Sequence, residues 1–258
     1  MKKILSIIIA LIVILSQNTV CNAESSGVNW YFIKRGNDTP EFPKESCIVD
    51  KYKGYYIDKK AAENDEKKIY MTFDAGYENG NIERILDVLL EENVPGAFFV
   101  LNNLIIKNTE LVKRMHNEGH LVCNHTSNHK DQTQLSKKEI LEGISNLEEK
   151  YFEKTGYTMC KFFRFPEGKF DEKSLQAVSE YGYSTFFWSL AYADWDNSMQ
   201  ISEQEALKKL CNNVHCGAII LLHPTAKTNA NIIKEFIQRM KSDGYEFLSL
   251  YDLIENNT

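Results

Sequence analysis

Five short polar strings stand out against the apolar pattern of the chain: Thr72-Phe-Asp-Ala-Gly76, His125-Thr-Ser-Asn-His129, Arg164-Phe-Pro-Glu-Gly168, Asp194-Trp195 and Leu221-Leu-His223. Their side chains are those of acid-base and metal chemistry. Asp74 is a carboxylate that could take a proton, or could simply cap the helix that follows. His125 and His129 lie four apart, which lets two imidazoles bind one metal ion if the loop takes a helical turn. Chance produces that spacing too. Arg164 beside a strand end needs a carboxylate partner, and Asp74 is the candidate, in a catalytic role or as a structural ion pair. Asp194 could orient His223 as a carboxylate orients an imidazole in other acid-base pairs. His116, His120 and His215 lie in or beside helix and turn patterns and are expected to be satisfied or solvated.

These strings need elements that bring them together. Residues 69–73 are β-branched and aromatic and read as a buried strand that delivers Asp74 to a turn marked by Gly76 and Gly80. Ile82, Ile85, Leu86, Leu89 and Leu90 then recur at helical spacing. The alternation continues with strands at 96–100, 120–124, 161–165, 184–188, 218–222 and 246–250. Helices follow at 109–118, 136–154, 171–181, 202–213, 229–243 and 251–255. About seven strand-helix units predict an α/β fold, a distorted parallel (β/α) barrel, with a doubly wound open sheet as the alternative. In such a barrel the C-terminal strand ends share one face, so the five strings would meet there.

The chain of 258 residues, 43% of them hydrophobic, can bury one good core. Residues 1–23 have the charged, apolar and small-residue regions of a secretory signal, so the protein is expected to be exported. An uncut segment is the one expected membrane attachment. Loss of Lys2 and Lys3 takes the formal charge from -6 to -8, and no basic cluster points to nucleic acid. Residues 24–67 read as an irregular arm packed on the main domain, 68–258, by Trp30, Tyr31 and Phe32. The cysteines lack a Cys-x-x-Cys pair and read as buried thiols.

In order, the five strings resemble the motifs of the polysaccharide deacetylases with a NodB-homology domain, carbohydrate esterase family four. The resemblance spans roughly residues 68–254, and Asp74 to Gly80 look most like the delta-lactam-biosynthetic de-N-acetylases of the spore cortex. It implies that Asp74 is the general base, Arg164 its holder, His125 and His129 ligands of a divalent metal, expected to be zinc, and His223 the general acid. The backbone N–H of Glu167 would be an oxyanion donor, Asp194 and Trp195 a tuning group and wall, and Leu221 part of an acetyl pocket. The implied reaction is hydrolysis of the N-acetyl group of peptide-stripped muramic acid in peptidoglycan, preceded by an amidase and leading to muramic delta-lactam. Lys169 and Lys227 are the candidate cations for the lactyl carboxylate. The same residues would suit a peptidoglycan or chitin N-acetylglucosamine deacetylase, and a non-catalytic glycan-binding relative is a third reading. Three positions depart from the family pattern. Ala75 stands where most members have a metal-binding Asp, Phe165 where Pro is usual, and Glu167 where an aromatic is frequent.

Overall fold

The computed structural model describes residues 27–257; the expected signal segment and the first residues of the arm lie outside them. The strands Lys68–Ala75, Gly96–Val100 and Ala218–Leu222 are buried almost throughout, the last two at every residue. Such runs belong to a parallel sheet covered on both faces. The sheet order is Ala218–Leu222, Lys68–Ala75, Gly96–Val100, Leu121–Asn124, Phe162–Phe163, Ser184–Phe186 and Gly54–Tyr55, with Glu246–Phe247 paired to the start of Lys68–Ala75. All these pairings are parallel. Beyond Ser184–Phe186 the chain rejoins the other end of the sheet. Leu190 bridges Ile220, and Leu221 N donates to Leu190 O at 2.9 Å. The curled sheet is therefore the expected distorted barrel, and the open doubly wound alternative is set aside.

Helices Asn81–Glu91, Thr109–Asn117, Lys137–Thr155, Glu172–Glu180, Glu203–Cys211 and Lys227–Ser242 follow the expected order. A further helix, Asn102–Lys107, precedes Thr109–Asn117. The strands around Arg164 are shorter than their apolar runs suggest. Arg164 Nε and Nη2 donate to the carbonyls of Phe186 and Phe187 at 2.9 and 3.3 Å, so a guanidinium stands where a longer ladder would have run.

The segment before Lys68 is more regular than expected and adds Gly54–Tyr55 to the barrel sheet. Trp30 is its anchor, stacked on Phe187 at 4.7 Å and tilted against Tyr56 at 5.0 Å, with its Nε1 donating to Trp188 O at 2.8 Å. Tyr31, expected to help, is exposed. Asp58 N donates to Gly217 O at 2.9 Å, and a Cβ on Gly217, at φ +75°, would lie 2.3 Å from Asp58 O. Only glycine permits that approach of arm to strand. Against the reading of all cysteines as thiols, Cys47 is disulfide-bonded, whereas Cys123, Cys160, Cys211 and Cys216 are free.

Candidate active site

Asp74 sits next to last in its strand, where the ladder to Gly96–Val100 still holds its backbone and the side chain reaches the barrel mouth. Arg164 Nη1 donates to Asp74 Oδ1 at 2.9 Å. The guanidinium is wholly buried over the Phe99 ring, 4.1 Å from its centroid, and two further donors are taken by the carbonyls named above. Burial alone would favour the neutral acid at Asp74, but His125, Arg164 and His223 together hold its carboxyl below the usual range. Asp74 is thus a carboxylate ready to take a proton.

His125 and His129 come together without a helical turn. Thr126 and His129 adopt left-handed φ values of 71° and 57°. Asn124 Oδ1 accepts from Thr126 N at 2.9 Å, and Thr126 Oγ1 accepts from His129 N at 2.9 Å. This pair of side-chain turns folds the loop back and brings the two rings to 5.0 Å between centroids. His125 Nδ1 lies 2.9 Å from Arg164 O, and because a carbonyl only accepts, Nδ1 carries the hydrogen. His125 Nε2 is then a lone pair, and it faces Asp74 Oδ2 at 3.5 Å. Two buried acceptors facing each other call for a cation or a proton between them, so the residues fit a metal ion. Desolvation lowers His125 to about 4 against the opposing pull of Asp74, which keeps its imidazole neutral. Ala75 is fully buried among apolar side chains, and no group of three or more His, Cys, Asp or Glu among the described residues is arranged to hold a metal. Beyond the two imidazoles, the carboxylate oxygen that faces the same space is Asp74 Oδ2.

Across the mouth, His223 follows the strand Ala218–Leu222. Asp194 Oδ1 takes its Nδ1 at 2.7 Å and Asp194 Oδ2 takes its backbone N at 2.8 Å. Asn229 Nδ2 donates to the same Oδ2 at 2.6 Å. Burial works against a charged His223, but the hydrogen bond and charge of Asp194, helped by Asp74, outweigh it and raise its pKa. His223 is built to carry a proton near neutral pH and to present it from Nε2.

A cavity of about 610 Å³ joins these groups, lined by Asp74, His129, Glu167, Trp188, Ala191, Tyr192, Trp195, Leu221 and His223. Glu167 sits at φ 57° between Pro166 and Gly168, a turn that only a strained or glycine-like backbone adopts. Trp195 stands exposed at the rim with its ring 6.3 Å from that of His223. All nine expected site residues therefore lie in or directly behind one cavity. Trp188, Ala191 and Tyr192 were not expected. They occupy the stretch between the Ser184–Phe186 strand and Asp194, whose apolar composition reads as core, and only barrel closure turns it toward the mouth. Lys169 is a correction, since it is spent on an ion pair with Asp131. Lys227 is exposed and makes no ion pair among the described residues.

A parallel barrel with a held carboxylate, a paired imidazole and two neighbouring imidazoles at one mouth suits metal-assisted hydrolysis. Residues 61–186 match the polysaccharide deacetylase family model. The chain is 35% identical over 229 residues to the peptidoglycan-N-acetylmuramic acid deacetylase PdaA of Bacillus subtilis, covering 88% of this chain and 86% of that one. The solved structure of B. subtilis PdaA, a family 4 carbohydrate esterase, superposes with a TM-score of 0.86 at 33% identity, over 92% of this chain and all of that one (100%). The peptidoglycan-N-acetylglucosamine deacetylase PgdA of Listeria monocytogenes is 30% identical over 89% of this chain and 44% of its own length. The chain belongs to the polysaccharide deacetylases of carbohydrate esterase family four.

Proposed function

We propose that the protein removes the N-acetyl group from muramic acid in peptidoglycan whose stem peptide has been cut away. The observation that carries the chemistry is the facing of Asp74, held ionised by Arg164, and His223, held protonated by Asp194, across one cavity. Asp74 takes a proton from the attacking water as its oxygen bonds to the amide carbon. Positive charge and the N–H of Glu167 receive the oxyanion, and His223 protonates the leaving nitrogen, because an amide anion does not depart unaided. The carbon-nitrogen bond breaks to give acetate and a free amine. A divalent cation on His125 and His129, expected to be zinc, supplies when bound the polarisation of the carbonyl and the acidification of the water. Leu221 floors the acetyl site and Trp195 walls the sugar.

The substrate reading rests on the similarity to PdaA and on the string Asp74 to Gly80. A peptide-free muramic acid offers a lactyl carboxylate, and with Lys169 already paired, Lys227 at the head of Lys227–Ser242 is the cation we assign to it. One charge-assisted hydrogen bond, about 1.5–3 kcal/mol, gives roughly ten- to a hundredfold preference over a neutral sugar. Once freed, the amine closes on that carboxylate with loss of water to form the lactam of spore cortex. An amidase must act first, and the work is done outside the cytoplasm, in the wall or cortex. The test is mass analysis of muropeptides after incubation with intact and with peptide-stripped peptidoglycan. Deacetylated muramic acid or its lactam is expected from the stripped material alone. Equal rates on chitin oligomers would favour the N-acetylglucosamine reading instead.

A further inference from the structure

Asn229 lies in the first half of helix Lys227–Ser242, is wholly buried, and belongs to none of the five strings. All of its amide is used. Nδ2 donates to Asp194 Oδ2 at 2.6 Å and to His223 O at 3.0 Å, while Oδ1 accepts from the hydroxyl of Tyr192. The amide orientation is fixed by its partners, because both groups facing Nδ2 can only accept and the third donates. Tyr192 in turn lines the cavity. A single line of hydrogen bonds therefore runs from the cavity wall through Tyr192, Asn229 and Asp194 to His223 Nδ1.

We propose that Asn229 is the positioning residue of the proton donor, with Tyr192 as its lock: together they clamp Oδ2 of Asp194 so that Oδ1 alone faces the His223 imidazole. The inference rests on the reading of His223 as general acid. Asp194 Oδ2 has two donors, His223 N and Asn229 Nδ2. Removing the second leaves a buried carboxylate with fewer donors, which destabilises the state in which the Asp194–His223 pair carries a net negative charge. The pair then binds its proton more tightly, and His223 becomes a weaker acid as well as a less well aimed one. The other charged groups facing His223 are Asp74, which favours its proton, and Arg164, which opposes it. Neither contacts Asn229, so substitution there leaves both in place.

Asn229→Leu and Tyr192→Phe in the full chain test this, the second retaining the ring that lines the cavity. Two quantities are read: the His223 titration by NMR of protein labelled in its histidine rings, and the pH profile of kcat/KM. The titration is expected to move up by about one pH unit in Asn229→Leu and by less in Tyr192→Phe, with kcat down on the order of tenfold and KM little changed. Tyr192→Phe keeps the test alive should Asn229→Leu fold poorly. An unmoved or lowered titration in folded variants overturns the positioning role. A titration that moves up while the alkaline limb of the rate stays fixed supports the clamp and removes His223 as the acid, so the two failures are told apart.

Discussion

At the scale of single residues, the proposed mechanism needs two groups held in opposite protonation states, Asp74 ionised and His223 protonated. Asp74→Asn and His223→Ala are each expected to cut turnover by about a hundred- to ten-thousandfold with the far-ultraviolet circular dichroism unchanged. Near-normal rates in a folded variant would reject the roles. The pH dependence follows from the same pair. Asp74, lowered, acts as base at any pH above its depressed value, so the acid limb is expected below the ordinary 3.8. His223, raised, donates only while protonated, so activity persists below its elevated pKa and falls as pH climbs through it, above the ordinary 6.5. The stability that the charged His223 draws from Asp194 runs the same way, complete below 6.5 and lost through the raised value. An alkaline limb at or below pH 6.5 would contradict both statements. With Ala75 offering no oxygen, two imidazoles are expected to hold metal loosely. Brief chelation should remove activity and added divalent ion restore it; stoichiometric metal that survived prolonged chelation would refute a two-imidazole site.

At the scale of elements, the loop after Leu121–Asn124 is held in part by the Asn124 side chain. Asn124 is wholly buried, accepts from Thr126 N and donates to Ile144 O at 3.1 Å, tying the ligand loop to helix Lys137–Thr155. Asn124→Ala leaves the Thr126 N–H without its acceptor and removes the tie to Ile144 O, whose helical bond remains, and is expected to cost roughly 1–3 kcal/mol of stability. It also frees the backbone that turns His129 back toward His125. Urea unfolding measures the first effect and metal affinity the second. A variant as stable as the parent, with the same metal affinity, would show that the left-handed turn holds itself.

At the scale of the whole molecule, the arm is part of the site's scaffold. Trp30 N donates to Gly168 O at 2.9 Å, and the Trp30 ring packs against Phe187 behind the Pro166–Gly168 turn. Trp30→Ala is expected to lower stability by about 3–5 kcal/mol, since a large buried ring is lost and the barrel cannot collapse onto the gap. Turnover should fall further than the folded fraction accounts for, because the Glu167 turn loses its backing. Proportional losses of folded protein and activity would confine Trp30 to stability.

Period along the chain was enough for the barrel, because buried parallel strands write continuous apolar runs and each run ends where its polar string begins; Glu167, Trp195 and Leu221 entered only through the family resemblance, and the structure places them on the cavity wall. Asp74 with Arg164, and Asp194 with His223, were legible as pairs because a charge at a buried strand end must find its opposite. The tertiary structure alone decided the rest. Strands near Arg164 are cut short by a guanidinium whose side-chain reach has no signature in periodicity. Tyr192 and Trp188 face the cavity because the chain bends across the mouth to meet Ile220, and Asn229 meets Asp194 because helix Lys227–Ser242 starts beneath it. Lys169 was lost to Asp131 by the same cause: which opposite charge a lysine meets depends on loops folded in space, and sequence distance does not encode that.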